Sequence, residues 1–387
     1  MPTTTYLRDL DAPDLHGTGF DSDSRAPQAF HVTLPGFERT DLLEVPALAS
    51  ALGVRAVMVK NEALRASLPS FKILGASWAS GRAIWREWLG ADPTVPIEFG
   101  PLREAVSRLT VEQPDREFML VAATDGNHGR GVAYFARQMG LAAWILVPEG
   151  TAQARIDAIA GEGARVDVVD GTYDDAIAAS AQLAGPDRLV ISDTSWDGYV
   201  TTPRDVIDGY STLFYEVDDQ VAERALPSPT HVVLQAGVGS FAAAGLRHFV
   251  GRGVDSIIVE PSTANCLMAS ARAGDMTEVP GPHRSAMAGL NCGLPSLIAW
   301  PVVDGLADRF IAIDDDTLAG ATVALADAGI ESGESGVAGA AALLDLASTG
   351  RLDEAGLGSD SVVLFINTEG ITDPVNYERL LTAGADG

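Results

Sequence analysis

The chain has 387 residues, enough for two domains of ordinary size or one two-lobed unit, and 47% hydrophobic against 20% charged residues is the balance of a folded protein. Acidic residues outnumber basic ones 53 to 26, and the net charge of −27 argues against nucleic acid and anionic membrane surfaces as partners. No run approaches the roughly 18 apolar residues of a membrane span, and the N-terminal MPTTTYLRDLDAPDL lacks a signal-peptide core, so the expectation is a cytoplasmic protein.

In chain order, short β-branched runs alternate with helical patterns. A strand is expected over 55–59, then an amphipathic helix over 71–89 and a proline-punctuated surface loop over 90–102. Strands over 118–123, 142–147, 165–169 and 188–192 alternate with helices over 152–161, 173–183 and 203–221. Strands over 231–235, 256–260, 310–313 and 361–367 alternate with helices over 240–249, 317–328 and 336–347, and a last helix opens at Pro374 after Asp373. This alternation predicts parallel α/β architecture. A smaller domain over 71–215 is expected between the two parts, 1–70 and 216–387, of a larger one.

Cys266 and Cys292 are too few for a disulfide framework and lack zinc-site spacing, so they read as two buried thiols. Of the 26 basic residues only Lys60 and Lys72 are lysines. A lysine retained against that bias marks a place where a removable proton and a nucleophilic amine are needed, which guanidinium does not supply. Lys60 is expected to pair with Glu62 in a structural Lys-Asn-Glu turn.

Glycine-punctuated loops follow several strands, where an open parallel sheet places its ligands. Ser70-Phe71-Lys72-Ile73-Leu74-Gly75 sets a lysine at a helix start, where it can form a Schiff base. Ala123-Thr124-Asp125-Gly126-Asn127-His128-Gly129 is denser in polar groups than a turn needs, although an Asx turn capping the next helix is the plain alternative. Gln235-Ala236-Gly237-Val238-Gly239-Ser240 follows a strand and opens a small-residue helix, so its amides suit a phosphate. Such turns also bind dinucleotides, but the third glycine and distal acid of that fingerprint are not cleanly met.

Ser70-Phe71-Lys72, the Asp-Gly-Asn-His-Gly loop and Gly237-Val238-Gly239, in this order, resemble the fold-type-II pyridoxal-phosphate enzymes, the tryptophan synthase β-like class. Ala123 to Gly131, Asp193-Thr194-Ser195-Trp196-Asp197-Gly198-Tyr199, Met287-Ala288-Gly289-Leu290, Ser332-Gly333-Glu334-Ser335-Gly336 and Thr368-Glu369-Gly370 resemble its diaminopropionate ammonia-lyase branch, over residues 35 to 380. An acid at Asp125, where most of the class has a small residue, marks that branch.

The resemblance implies a two-lobed fold with parallel sheets flanked by helices, pyridoxal 5'-phosphate carried by Lys72, and a homodimer acting on a small amino acid. Phe71 precedes the cofactor lysine. Asn127 would bond the ring hydroxyl, Gly237, Val238, Gly239 and Ser240 would hold the phosphate, and Thr368 would face the pyridine nitrogen. Glu334 would approach the ring or else cap a helix dipole. Asp125 and Asp193 would be the acid–base pair, Asp193 serving the L-isomer and Asp125 the D-isomer. His128 is expected to pack rather than titrate.

The expected reaction is elimination of ammonia from 2,3-diaminopropionate to give pyruvate and two ammonia. The alternatives are a serine or threonine dehydratase, a lyase or synthase of another 3-substituted alanine, or a non-catalytic binding protein on the same fold. The family pattern also places cysteines at both 266 and 292. Asp205, Leu294 and Ile371 depart from its tryptophan, glutamate and aspartate.

Overall fold

The computed structural model describes residues 3–8, 24–124 and 126–385. In chain order the strands are β1 (Thr4–Leu7), β2 (Leu42–Glu44), β3 (Ala56–Asn61), β4 (Met119–Ala123), β5 (Ala142–Pro148), β6 (Arg165–Val169), β7 (Arg188–Val190), β8 (His231–Gln235), β9 (Asp255–Pro261), β10 (Arg309–Ile313) and β11 (Val362–Asn367). The helices that bear on the site are α1 (Lys72–Ala83), α2 (Asn127–Met139), α3 (Tyr173–Ala181), α4 (Thr201–Arg224), α5 (Ser240–Phe249), α6 (Cys266–Ala273), α7 (Glu334–Ser348) and α8 (Pro374–Ala385). Two compact units emerge. The larger takes the described parts of Met1–Phe20, Arg39–Leu64 and Leu213–Gly387, and the smaller those of Asp21–Glu38 and Arg65–Thr212.

In the larger unit the sheet order is β1-β10-β9-β8-β11-β3-β2, parallel except for the edge strands β1 and β2. Every residue of β8 and β11 is buried, which is why these strands read as apolar runs rather than alternating ones. Their register sets Leu364 beside both Val232 and Met58, so the loops after Gln235 and Asn367 leave neighbouring strand ends. α7, rich in alanine and glycine and buried over most of its length, packs with Val233, Ile257 and Phe365 in one core.

The smaller unit holds a parallel sheet of order β6-β5-β4-β7, and Val121, Ala123, Leu146, Ala176, Ile177 and Val190 form a core beneath it. α1 packs closely against the start of α4. A Cβ on Gly209 would stand 2.6 Å from the Leu74 carbonyl, and one on Gly75 would stand 2.5 Å from the Tyr210 ring. Only glycine permits that approach, which seats Tyr210 near Lys72.

The helix expected over 71–89 ends its α-form at Ala83 and finishes as π turns over Ile84–Trp88. The loop expected over 90–102 is shorter. A helix begins at Phe99, because Phe99, Leu102 and Val106 bury one face and Pro101 falls in the first turn, where it is tolerated.

Candidate active site

In the smaller unit Lys72 is the first residue of α1. Its Nζ donates to Asp193 Oδ2 at 2.7 Å and lies 5.7 and 5.9 Å from the ring centroids of Phe71 and Tyr210. Tyr173, at the first position of α3, donates its hydroxyl to Asp193 Oδ1 at 2.8 Å. Asp193 is buried, which alone would raise its carboxyl. Burial is the largest single influence, but the Lys72 ammonium, His128 and the hydrogen bonds from Lys72 and Tyr173 together outweigh it and hold the carboxyl well below the usual carboxylate range.

The Asp193 segment is braced from behind. Ile191 N donates to the Val121 carbonyl at 2.7 Å, while Tyr199 accepts Ser192 N at 3.1 Å and donates to the Val190 carbonyl at 2.6 Å. Asn127 opens α2, and Thr124 Oγ1 accepts the amides of Gly126 and Gly129 to fix that turn. His128 is buried with Nε2 2.8 Å from the Ile191 carbonyl. Asp125 lies outside the described residues.

In the larger unit the turn from β8 into α5 carries Gly237, Val238, Gly239 and Ser240. Gly239 sits at φ +96° as the N-cap, and α5 starts without a side-chain cap, so its leading amides form a seat for an anion. A Cβ on Gly237 would stand 2.8 Å from Cys292 Sγ, and Cys266 Sγ lies 3.7 Å from the Gly237 carbonyl. Both cysteines are buried and packed on this turn.

Thr368 Oγ1 accepts from Gln235 Nε2 at 2.9 Å, so the hydroxyl keeps its own hydrogen to donate. Glu334 opens α7, buried, with Oε1 accepting Asn376 Nδ2, and Glu369 Oε1 accepts the Ser335 amide at 2.9 Å. In the larger unit a helix start without a side-chain cap and a neutral hydroxyl donor have the chemistry to take a phosphate and a ring nitrogen, and in the smaller unit a primary amine has the chemistry to take an aldehyde.

The chain matches the family described as pyridoxal-phosphate dependent enzymes over residues 33–369. It belongs to that family. The diaminopropionate ammonia-lyase of Escherichia coli strain K12 is 35% identical over 377 residues, covering 94% of this chain and 92% of that protein. The enzyme of the same description from Salmonella typhimurium is 36% identical over 373 residues, covering 92% and 91%. The E. coli enzyme solved in its holo form superposes with a TM-score of 0.88 at 32% identity, covering 99% of this chain and 97% of that one. Its complex with D-serine gives 0.89 at the same identity and coverage. As a member of the family the chain has the fold-type-II architecture, takes pyridoxal phosphate as cofactor and is an ammonia-lyase in class.

Among the expected site residues the smaller unit brings Phe71, Lys72 and Asp193 together, and the larger places Thr368 beside Gln235. Sequence reasoning missed Tyr173, Tyr210 and Gln235. Tyr173 sits in a Thr172/Asp175 capping box, which signals a helix start and carries no hint of Asp193. Lys60, expected to pair with Glu62, forms an ion pair with Glu216 at 2.7 Å, with further bonds to Gln220 and the Thr40 carbonyl. Glu216 and Gln220 are four apart on one face of α4 and meet Lys60 together, while Glu62 accepts the Thr40 hydroxyl. Among the described residues no helix is long and apolar enough to cross a membrane.

Proposed function

We propose that this enzyme eliminates ammonia from 2,3-diaminopropionate, in the L- and D-forms, giving pyruvate and two ammonia. The observation that carries the reading is the contact of the Lys72 amine with the buried Asp193 carboxylate, an amine and a base held 2.7 Å apart. Bound pyridoxal phosphate supplies the electron sink that acidifies the substrate's α-hydrogen. Lys72 carries the cofactor through its amine and Phe71 packs beside that amine. Asn127 bonds the ring hydroxyl, Gly237, Val238, Gly239 and Ser240 hold the phosphate, Thr368 donates to the ring nitrogen and Glu334 lies toward the ring.

Asp193 takes the α-proton of the L-isomer, and Asp125 that of the D-isomer, because the two isomers present that hydrogen to opposite faces of a planar cofactor. The D-serine complex of the E. coli relative supports a site that admits D-amino acids. Two carboxylates also attract a diamine and can keep its leaving amine protonated. The enamine released after the first ammonia hydrolyses in water. The substrate is a free amino acid, and we place the enzyme in the cytoplasm as a homodimer, for which light scattering should read twice the chain mass.

The purified protein should show a borohydride-sensitive absorbance band near about 410–420 nm that Lys72→Ala lacks. Pyruvate release should be fastest with diaminopropionate among serine, threonine and other 3-substituted alanines. Asp193→Asn should slow the L-isomer and Asp125→Asn the D-isomer, each by about 10²–10⁴-fold. Equal slowing of both isomers by each variant would make the carboxylates binding groups and leave Lys72 as the single base.

A further inference from the structure

Asp193 is held at both oxygens, and its contacts with Lys72 and Tyr173 differ in kind. Oδ2 meets the Lys72 ammonium at 2.7 Å, a group committed to the cofactor once the enzyme is loaded. Oδ1 meets the Tyr173 hydroxyl at 2.8 Å, a phenol whose place does not depend on the cofactor. Tyr173 is fixed independently of Asp193. It packs against the Val121, Ala123, Ala176 and Val190 core, and the turn before it is locked by reciprocal bonds between Thr172 and Asp175.

We infer that Tyr173 is the positioning residue for the base: its hydroxyl anchors Asp193 Oδ1 and leaves Oδ2 as the oxygen that accepts the substrate's α-proton. This inference rests on the proposed role of Asp193. In the step itself the α-C–H bond breaks and an O–H bond forms at Oδ2. The electron pair left at the α-carbon becomes the new double bond as the β-C–N bond breaks and ammonia departs with that bond's electrons.

The anchor also sets acidity. Lys72 from α1, Tyr173 from α3 and His128 from α2 face the Asp193 carboxylate, and burial opposes all three. When Lys72 turns to the cofactor the strongest of these influences leaves Oδ2. Burial then raises the carboxyl toward a useful base, and the Tyr173 bond keeps it ionised and aimed. A donated hydrogen bond also stops the carboxylate from rotating away from the substrate.

The test is Tyr173→Phe in the holoenzyme, which removes one hydroxyl and keeps the ring in its core. The acid limb of kcat/KM for L-diaminopropionate should move up by about one pH unit, since a hydrogen bond to the charged form is lost. kcat should fall about ten-fold with KM little changed, and turnover of the D-isomer should hold. Carbon-13 NMR titration of the Asp193 carboxyl, read without turnover, should show the same upward move. Site-specific 3-fluorotyrosine at 173, a stronger donor, should move the limb down and keeps the test readable if the phenylalanine variant folds poorly.

Profiles and titrations that superpose on the parent would overturn the inference. Asp193→Asn separates this failure from that of the underlying reading. If it spares L-turnover, Asp193 is not the base. If it abolishes L-turnover while Tyr173→Phe changes nothing, the base stands and the anchor falls.

Discussion

The chain's two lysines should fail in opposite ways when removed. Lys60 is fully buried and its Nζ makes bonds of 2.7, 2.7 and 3.1 Å to the Thr40 carbonyl, Glu216 and Gln220. Lys60→Met keeps the stem and deletes the charge, leaving the Glu216 carboxylate buried without its ion-pair partner. Breaking such a pair on one side costs about 3–5 kcal/mol, whereas replacing both members by apolar groups is often close to neutral. Lys60→Met should therefore lower the free energy of unfolding of the larger unit by about 3–5 kcal/mol, and Lys60→Met with Glu216→Met should recover most of it. Urea unfolding followed by circular dichroism, with hydrogen exchange at β3 and β11 to localise the loss, reads both. Lys72 is partly exposed, and without it Asp193 keeps the Tyr173 bond and can take up a proton. Lys72→Ala should cost less than about 2 kcal/mol while ending turnover. A Lys60→Met protein within about 1 kcal/mol of the parent, or a Lys72→Ala protein as unstable as Lys60→Met, would refute this division of roles.

Asp205 offers a pH test. Burial pushes its carboxyl up to about 6 against the pull of Arg86 and Arg82, so the native state keeps its proton to higher pH than the unfolded chain does. Stability of the smaller unit should then fall by up to about 3 kcal/mol as pH rises from about 4 to 6, and Asp205→Asn should lack that slope in urea midpoints. At the phosphate turn, Gly239→Ala forces a side chain into a left-handed conformation that costs about 1–2 kcal/mol. Equilibrium dialysis should find cofactor retention weakened roughly ten-fold, with the circular dichroism spectrum unchanged.

Much of the fold was legible because apolar periodicity and glycine punctuation are local signals. β6, β8 and α5 fall on their expected spans, since each is bounded by turn residues that act within a few positions. Illegible parts are those decided at long range. Phe99 begins a helix only because its apolar face finds a core, and the short edge strands β1 and β2 exist through their neighbours β10 and β3. The site divides in the same way. Lys72, Asn127 and the Gly237 to Ser240 turn carry local marks, whereas Tyr173 reaches Asp193 across 20 residues and Lys60 reaches Glu216 across 156, distances over which spacing says nothing.

The surplus of arginine over lysine gains a physical meaning from these pairings. At position 60 the side chain ends in a closed space with acceptors converging on one atom from a carbonyl, a carboxylate and an amide. A compact ammonium with three donors satisfies them, and a broad planar guanidinium would have to displace α4 or β3 to enter. At position 72 the requirement is chemical rather than steric, because cofactor attachment needs an amine that can give up its proton at neutral pH. The two positions therefore predict different responses to arginine. Lys60→Arg should be destabilising and still carry cofactor at whatever fraction folds. Lys72→Arg should fold like the parent and lack the borohydride-sensitive band altogether, and a Lys72→Arg protein that retained that band would place the cofactor on some other residue.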